Sequence, residues 1–119
     1  MRWLILLLFW SQLLAAQSQA VIFIDSSQPL QARLVADVNK MLFFSPTLRA
    51  DLSVQVFDIN KQSFPFSGTL RYVRDSAGKA ISQYRPQGLP YLICLNEKTE
   101  QLRIALKNKE QLCLCVKKC

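Results

Sequence analysis

The chain predicts an α/β domain, a small mixed β-sheet flanked by helices in the order β-α-β-α-β-β-α. Three observations carry this. Strand-like stretches stand at 21–24, 52–59 and 91–95, the first and last short apolar runs and the middle one an alternation of apolar and polar residues. Between them, over 30–42 and 70–84, apolar residues recur at spacings of three and four, the helical period. After 91–95 a short turn leads to another strand-like run at 101–105. A hairpin is antiparallel, whereas strands joined through helices pair parallel by right-handed crossover, so the sheet is mixed.

The first twenty residues, "MRWLILLLFWSQLLAAQSQA", hold one charge at Arg2, an apolar run from Trp3 to Trp10, and small residues at Ser18 and Ala20. This is the layout of a secretory signal peptide cut after Ala20. A membrane anchor is the alternative, but the apolar run is shorter than the roughly 20 residues of a bilayer span. No cysteine stands near the cut to take a lipid. The domain then spans 21–119, one modest core, and loss of Arg2 leaves six of the seven net positive charges. Those cations are mostly scattered singly and lack the clustered face with interleaved aromatics of a nucleic-acid binder. The expected location is the periplasm, with no stable membrane anchor after the cut.

Val21 to Ile24 reads as a buried strand from its length and β-branched content. Pro29 suits the first turn of a helix, with Ser26 or Ser27 as its cap. Leu30, Leu34, Val35, Val38, Met41 and Leu42 give that helix one apolar stripe, and Ser45-Pro46 ends it. Leu52, Val54 and Val56 alternate with polar residues and form the second strand. Residues 60–68 are turn material. Leu70, Val73, Ala77, Ala80, Ile81 and Tyr84 predict a second helix, which Gly78 weakens. "RPQGLP" at 85–90 is a loop. The hairpin follows, and the C-terminal "KNKEQLCLCVKKC" carries Leu112, Cys115 and Val116 on one face of a last helix. This order of elements is the thioredoxin fold.

A thioredoxin-like oxidoreductase places its redox pair between the first strand and first helix, where a helix N-terminus stabilises a thiolate. Here that place holds Asp25, Ser26, Ser27, Gln28 and Pro29, with no thiol. Dithiol exchange at the usual site is excluded. All four cysteines, Cys94, Cys113, Cys115 and Cys119, lie in the last quarter of the chain. In an oxidising compartment four cysteines allow three pairings. A zinc site would need the spacing C-x18-C-x-C-x3-C with no His, a poor match to paired ligands, so no metal is expected. Cys113-x-Cys115 could form a strained redox pair only if the chain there is not helical. The competing readings are a buried thiol and a bridge that staples the last segment to the Cys94 strand. Hydrolysis lacks a base, since the chain has no His.

"FIDSSQPLQARL" resembles the stretch that opens the TrbC-like proteins of type-F conjugative transfer, phenylalanine-x-serine-x-serine-methionine-proline. "ISQYRPQGLPYLICL" is similar to their second signature, with Ile81, Tyr84, Leu89 and Pro90 in the corresponding places. Asp25, Gln28 and Pro86 depart from the pattern. The resemblance implies an exported pilus-assembly component with a thioredoxin-like fold and no obligatory redox pair. It implies binding to protein components of the apparatus, TraW-like proteins among them, and no catalysis or cofactor. The binding candidates are Asp25 to Pro29, Tyr84, Leu89 and Pro90. In thioredoxin-like proteins the proline before the penultimate strand is usually cis, so Leu89-Pro90 is expected to be cis and near Ser26 to Pro29. The alternative function is a periplasmic thiol-disulfide oxidoreductase or isomerase using the C-terminal cysteines.

Overall fold

Two unbroken runs of five buried side chains, Ala20 to Ile24 and Tyr91 to Leu95, lie on neighbouring inner strands of the sheet, as hydrophobic burial requires of strands covered on both faces. In the computed structural model, which describes residues 17–62, 66 and 68–116, β1 (Ser18–Ile24) carries Ala20 to Ile24, each at most 2% exposed. β2 (Leu52–Asp58) pairs parallel to β1, from Ser18 opposite Leu52 to Ile24 opposite Asp58. On the other side β4 (Tyr91–Asn96) pairs antiparallel to β1, with Phe23 opposite Tyr91 and Ala20 opposite Cys94. β3 (Arg71–Arg74) joins β2 in parallel, and β5 (Thr99–Ala105) joins β4 antiparallel, giving the order β3-β2-β1-β4-β5. The sheet is mixed, as expected.

β1 begins three residues before Val21. Ser18 and Gln19 read as polar spacer in the sequence, yet partners on both sides extend the ladder through them, and Ala20 is fully buried. The strand therefore crosses the position of the expected cut.

α1 (Pro29–Phe43) buries Leu34, Val35, Val38 and Leu42 against one sheet face, but Leu30, expected on that stripe, is exposed. Pro46 ends the first helix as expected and also opens another. α2 (Pro46–Asp51) has Ser45 as its cap, the hydroxyl accepting the Leu48 N–H at 3.3 Å. A proline in a first helical turn costs no hydrogen bond, so one residue serves both as stop and as start.

The single helix expected over 70–84 is instead β3 followed by α3 (Lys79–Tyr84). The three-and-four spacing there is a coincidence of two elements. Tyr72 and Val73 suit an edge strand, and Gly78 adopts φ 74° at the junction, in the left-handed region that breaks a helix. The Asp75 carboxylate then accepts the Ala80 and Ile81 N–H groups at 2.9 and 3.1 Å, starting α3 anew. The C-terminal helix is likewise replaced by a 3-10 helix, Lys109–Cys115. With three residues per turn, Leu112 and Cys115 share a face. Leu112 is fully buried and Cys115 bonds Cys94. Lys117, Lys118 and Cys119 lie outside the described residues.

One apolar layer lies between the sheet and α1, from Ile22, Ile24, Val35, Val38, Val56, Leu92 and Leu112. The other, on the α3 side, holds Val21, Phe23, Tyr91 and Ile93 with Phe57, Tyr84 and Leu89.

A chain starting at Val21 loses the first three rungs of β1 and the buried Ala20. Against a chain starting at Gln17, its melting temperature is expected to fall by roughly 10 °C, about 2 kcal/mol at this size. Equal melting temperatures by circular dichroism would show that the upstream rungs contribute nothing.

Candidate functional site: the turn between β1 and α1

The carboxyl ends of β1, β2 and β3 meet at one end of the sheet, the position at which open α/β sheets bind ligands. The turn at 25–29 sits there. Asp25 closes it: its Oδ1 accepts the Ser27 N–H at 3.0 Å and the Ser27 hydroxyl at 2.6 Å. Its carbonyl accepts the Gln28 N–H at 3.0 Å, and its own N–H donates to Gln31 Oε1 at 2.8 Å. This is an Asx turn, the local bonding that favours Asp in such positions. The serines do not cap α1, contrary to expectation. The cap residue is Gln28, with no side-chain bond to the helix, because Asp25 engages Ser27 and β2 engages Ser26.

Ser26 donates its N–H to Asp58 Oδ1 at 2.9 Å, and its hydroxyl accepts from Asn60 Nδ2 at 2.9 Å. Asp58, the last residue of β2, is fully buried. Its Oδ1 also accepts the Asn60 N–H at 3.0 Å, and its Oδ2 accepts the Tyr72 hydroxyl from β3. Burial pushes the Asp58 carboxyl up, but hydrogen bonds from Ser26, Tyr72 and Asn60 together outweigh it and hold the group below its ordinary value of 3.8. Burial and then the adjacent carboxylate raise Tyr72 above the usual phenol range, so its hydroxyl remains a donor. One ionised side chain thus ties the β1–α1 turn, the loop after β2, and β3 together.

The other sequence candidates divide between this end and the opposite sheet face. Leu89-Pro90 is cis, as expected. Because Phe23 pairs with Tyr91, the Pro90 loop lies at the same end of the sheet as the turn. Leu89, however, packs into the α3-side layer. Tyr84 does the same, its ring centroid 5.6 Å from that of Phe23 and 6.2 Å from that of Phe57. Its half-buried ring packs against that layer, on the face away from α1. Exposed at the turn itself are Ser27, Gln28, Pro29 and Leu30.

The sequence reading missed Asp58, Asn60 and Tyr72 as a group. A signal for the first was present. Val54, Val56 and Asp58 occupy alternate positions of one strand, so a carboxylate stands where the pattern demands an inward apolar residue.

Cys94 and Cys115 form a disulfide between β4 and the 3-10 helix. Cys113 is also disulfide-bonded, and no described cysteine is free. The bridge selects the stapling alternative and leaves no Cys113-Cys115 pair. Cys94 is buried in the α1-side layer, opposite Ala20, away from the turn. Among the described residues no cluster of three or more potential metal ligands occurs.

No protein-family model matches the chain, and no curated protein sequence matches it. Solved structures do. StoA from Bacillus subtilis superposes with a TM-score of 0.65 at 18% identity, over 81% of this chain and 79% of that one. The pneumococcal exposed lipoprotein thioredoxin Etrx1, from Streptococcus pneumoniae, gives 0.65 at 11% identity over 82% of each chain. The fold is thioredoxin-like. The germline-specific thioredoxin Deadhead of Drosophila melanogaster is similar at 0.55 and 10% identity, covering 81% of this chain and 74% of that one. Within this thioredoxin-like fold the β1–α1 junction carries an Asx turn and no thiol.

Asp58→Ala would orphan three donors at once, and is expected to cost roughly 3–5 kcal/mol in urea unfolding, against under about 1 kcal/mol for exposed Gln28→Ala. The folded carboxyl titrates below its ordinary value, so its stabilisation is complete above pH 3.8 and is lost as pH falls through the lower folded value. The wild type should therefore lose more stability than Asp58→Asn on acidification below that pH. Parallel acid profiles would contradict the bonding described.

Proposed function

We propose that this chain is an exported, non-catalytic thioredoxin-like binding module that serves a conjugative transfer or type IV secretion pilus-assembly apparatus. The observation that carries the non-catalytic part is the chemistry of the β1–α1 turn: no thiol, and a backbone fixed by Asp25 and Asp58. Thiol–disulfide exchange needs a thiolate that can reach a sulfur. The bridge at Cys94 lies in the core. Export is supported by the signal-peptide layout of the N-terminus and by a disulfide whose persistence suits an oxidising compartment. The conjugative role is supported by the two motifs around Ser26 and Pro90. The reading needs no cofactor or metal.

The binding edge is the exposed part of the turn, Ser27 to Leu30, beside the Pro90 loop; a TraW-like assembly protein is the partner of choice. Tyr84 is left out of this edge, since its half-buried ring packs against the α3-side layer, on the face away from α1. A fixed turn binds without first being ordered, which lowers the entropic cost of association.

The test is direct binding of the purified chain to a TraW-like protein by calorimetry, beside an insulin-reduction assay. Ser27→Arg with Gln28→Glu should weaken binding about tenfold or more, near 1.4 kcal/mol, at unchanged melting temperature. Insulin reduction should stay at the rate of the reductant alone. Catalytic turnover would favour the oxidoreductase reading, and unchanged affinity of the double variant would remove the turn as the binding edge.

A further inference from the structure

At the end of the molecule opposite the turn, two adjacent phenylalanines face solvent. Phe43 and Phe44 are 59% and 73% exposed, their rings edge to face with centroids 5.1 Å apart. They stand where α1 gives way to α2, and the corner is held by backbone bonds. Arg49 of α2 donates through Nη1 to the carbonyls of Leu42 at 3.0 Å and Phe43 at 2.7 Å. The Phe44 N–H donates to the Lys40 carbonyl at 3.1 Å. Exposing such a pair on a fixed corner costs solvation free energy, which the contact between the two rings offsets only in part. Contiguous exposed apolar surface of this kind marks a contact with something outside the chain.

Charge identifies the contact. Phe44 lines an open groove of about 590 Å³ with Lys40, Met41, Ser45, Lys109 and one acid, Asp37. Lys109 pairs with Glu110 at 3.1 Å, leaving Lys40 and Arg49 as the cations beside the rings, in a chain of net charge +7. Exposed aromatics flanked by cations are the pattern that enters an anionic bilayer interface.

We infer that the Phe43-Phe44 corner docks on the surface of an anionic lipid bilayer, with the rings at acyl depth and Lys40 among the headgroup phosphates. The seven residues of β1 span roughly 20 Å. Docked this way, the chain holds the 25–29 turn away from the membrane, open to a partner. The inference stands on its own observations and survives if the proposed function fails.

The test places a reporter at the corner of the full-length chain. Phe44→Trp in a background of Trp3→Phe and Trp10→Phe leaves one tryptophan, so fluorescence reads this corner whatever else touches lipid. Vesicles of phosphatidylcholine alone are compared with vesicles containing phosphatidylglycerol, each with and without acyl chains brominated near the headgroup. A blue shift and bromine quenching are expected with phosphatidylglycerol, and Lys40→Glu should weaken binding several-fold at low salt. Phe43→Ser added to the reporter should reduce the quenching at unchanged melting temperature. A reporter that stays unquenched, whether the protein floats with vesicles or not, overturns the inference. So does a corner that shifts only when a protein partner is added.

Discussion

The arrangement of this domain depends on one buried carboxylate. Asp58 ends β2 in full burial, a position where an ionised side chain is unfavourable unless donors replace its water. The donors come from three separate segments: the turn after β1, the loop after β2, and Tyr72 on the edge strand β3. Burial is thereby turned into a constraint on topology, because no one of these segments satisfies the carboxylate alone. The backbone follows the same path, with the Asp75 N–H donating to the Asp58 carbonyl at 2.7 Å. Asp75 then starts α3, so the end of β2 governs both the site at one side and the helix on the other face.

A second set of ties fixes the far side of the sheet. The Cys94–Cys115 bridge closes a loop of 21 residues and holds the 3-10 helix on the core. Arg103 of β5 donates to the carbonyls of Tyr84 and Arg85, joining the hairpin to the end of α3 just before the Pro90 loop. Two exposed stretches lie at opposite ends of the molecule, Ser27 to Leu30 at one and Phe43-Phe44 at the other. That separation lets two surfaces contact different neighbours without competing for the same residues.

The fold was legible where burial writes directly into the sequence. The run at 21–24, the alternation at 52–56 and the hairpin at 91–105 gave the sheet, since each pattern reports which faces are covered. The region 70–84 was misread because a four-residue strand and a six-residue helix are too short to show their own periods. The C-terminal 3-10 helix departed from the expected helix because Leu112 and Cys115 align on a three-residue repeat, and a disulfide fixes that geometry. At the site, the position of the turn could be read, but the roles within it could not. Whether Ser26 caps a helix or faces a buried aspartate depends on a partner 32 residues away in the chain.

The most direct measurement is hydrogen exchange at the Ser26 amide, resolved by NMR. This N–H belongs to a turn at the sheet's edge, and its acceptor is the buried Asp58 Oδ1 rather than water. If the carboxylate holds the turn, Ser26 should exchange nearly as slowly as the β1 core amides, through global rather than local opening. The Ser27 amide, bonded only to Asp25 at the surface, should exchange much faster. Equal, fast exchange at Ser26 and Ser27 would contradict a turn fixed from beneath by Asp58.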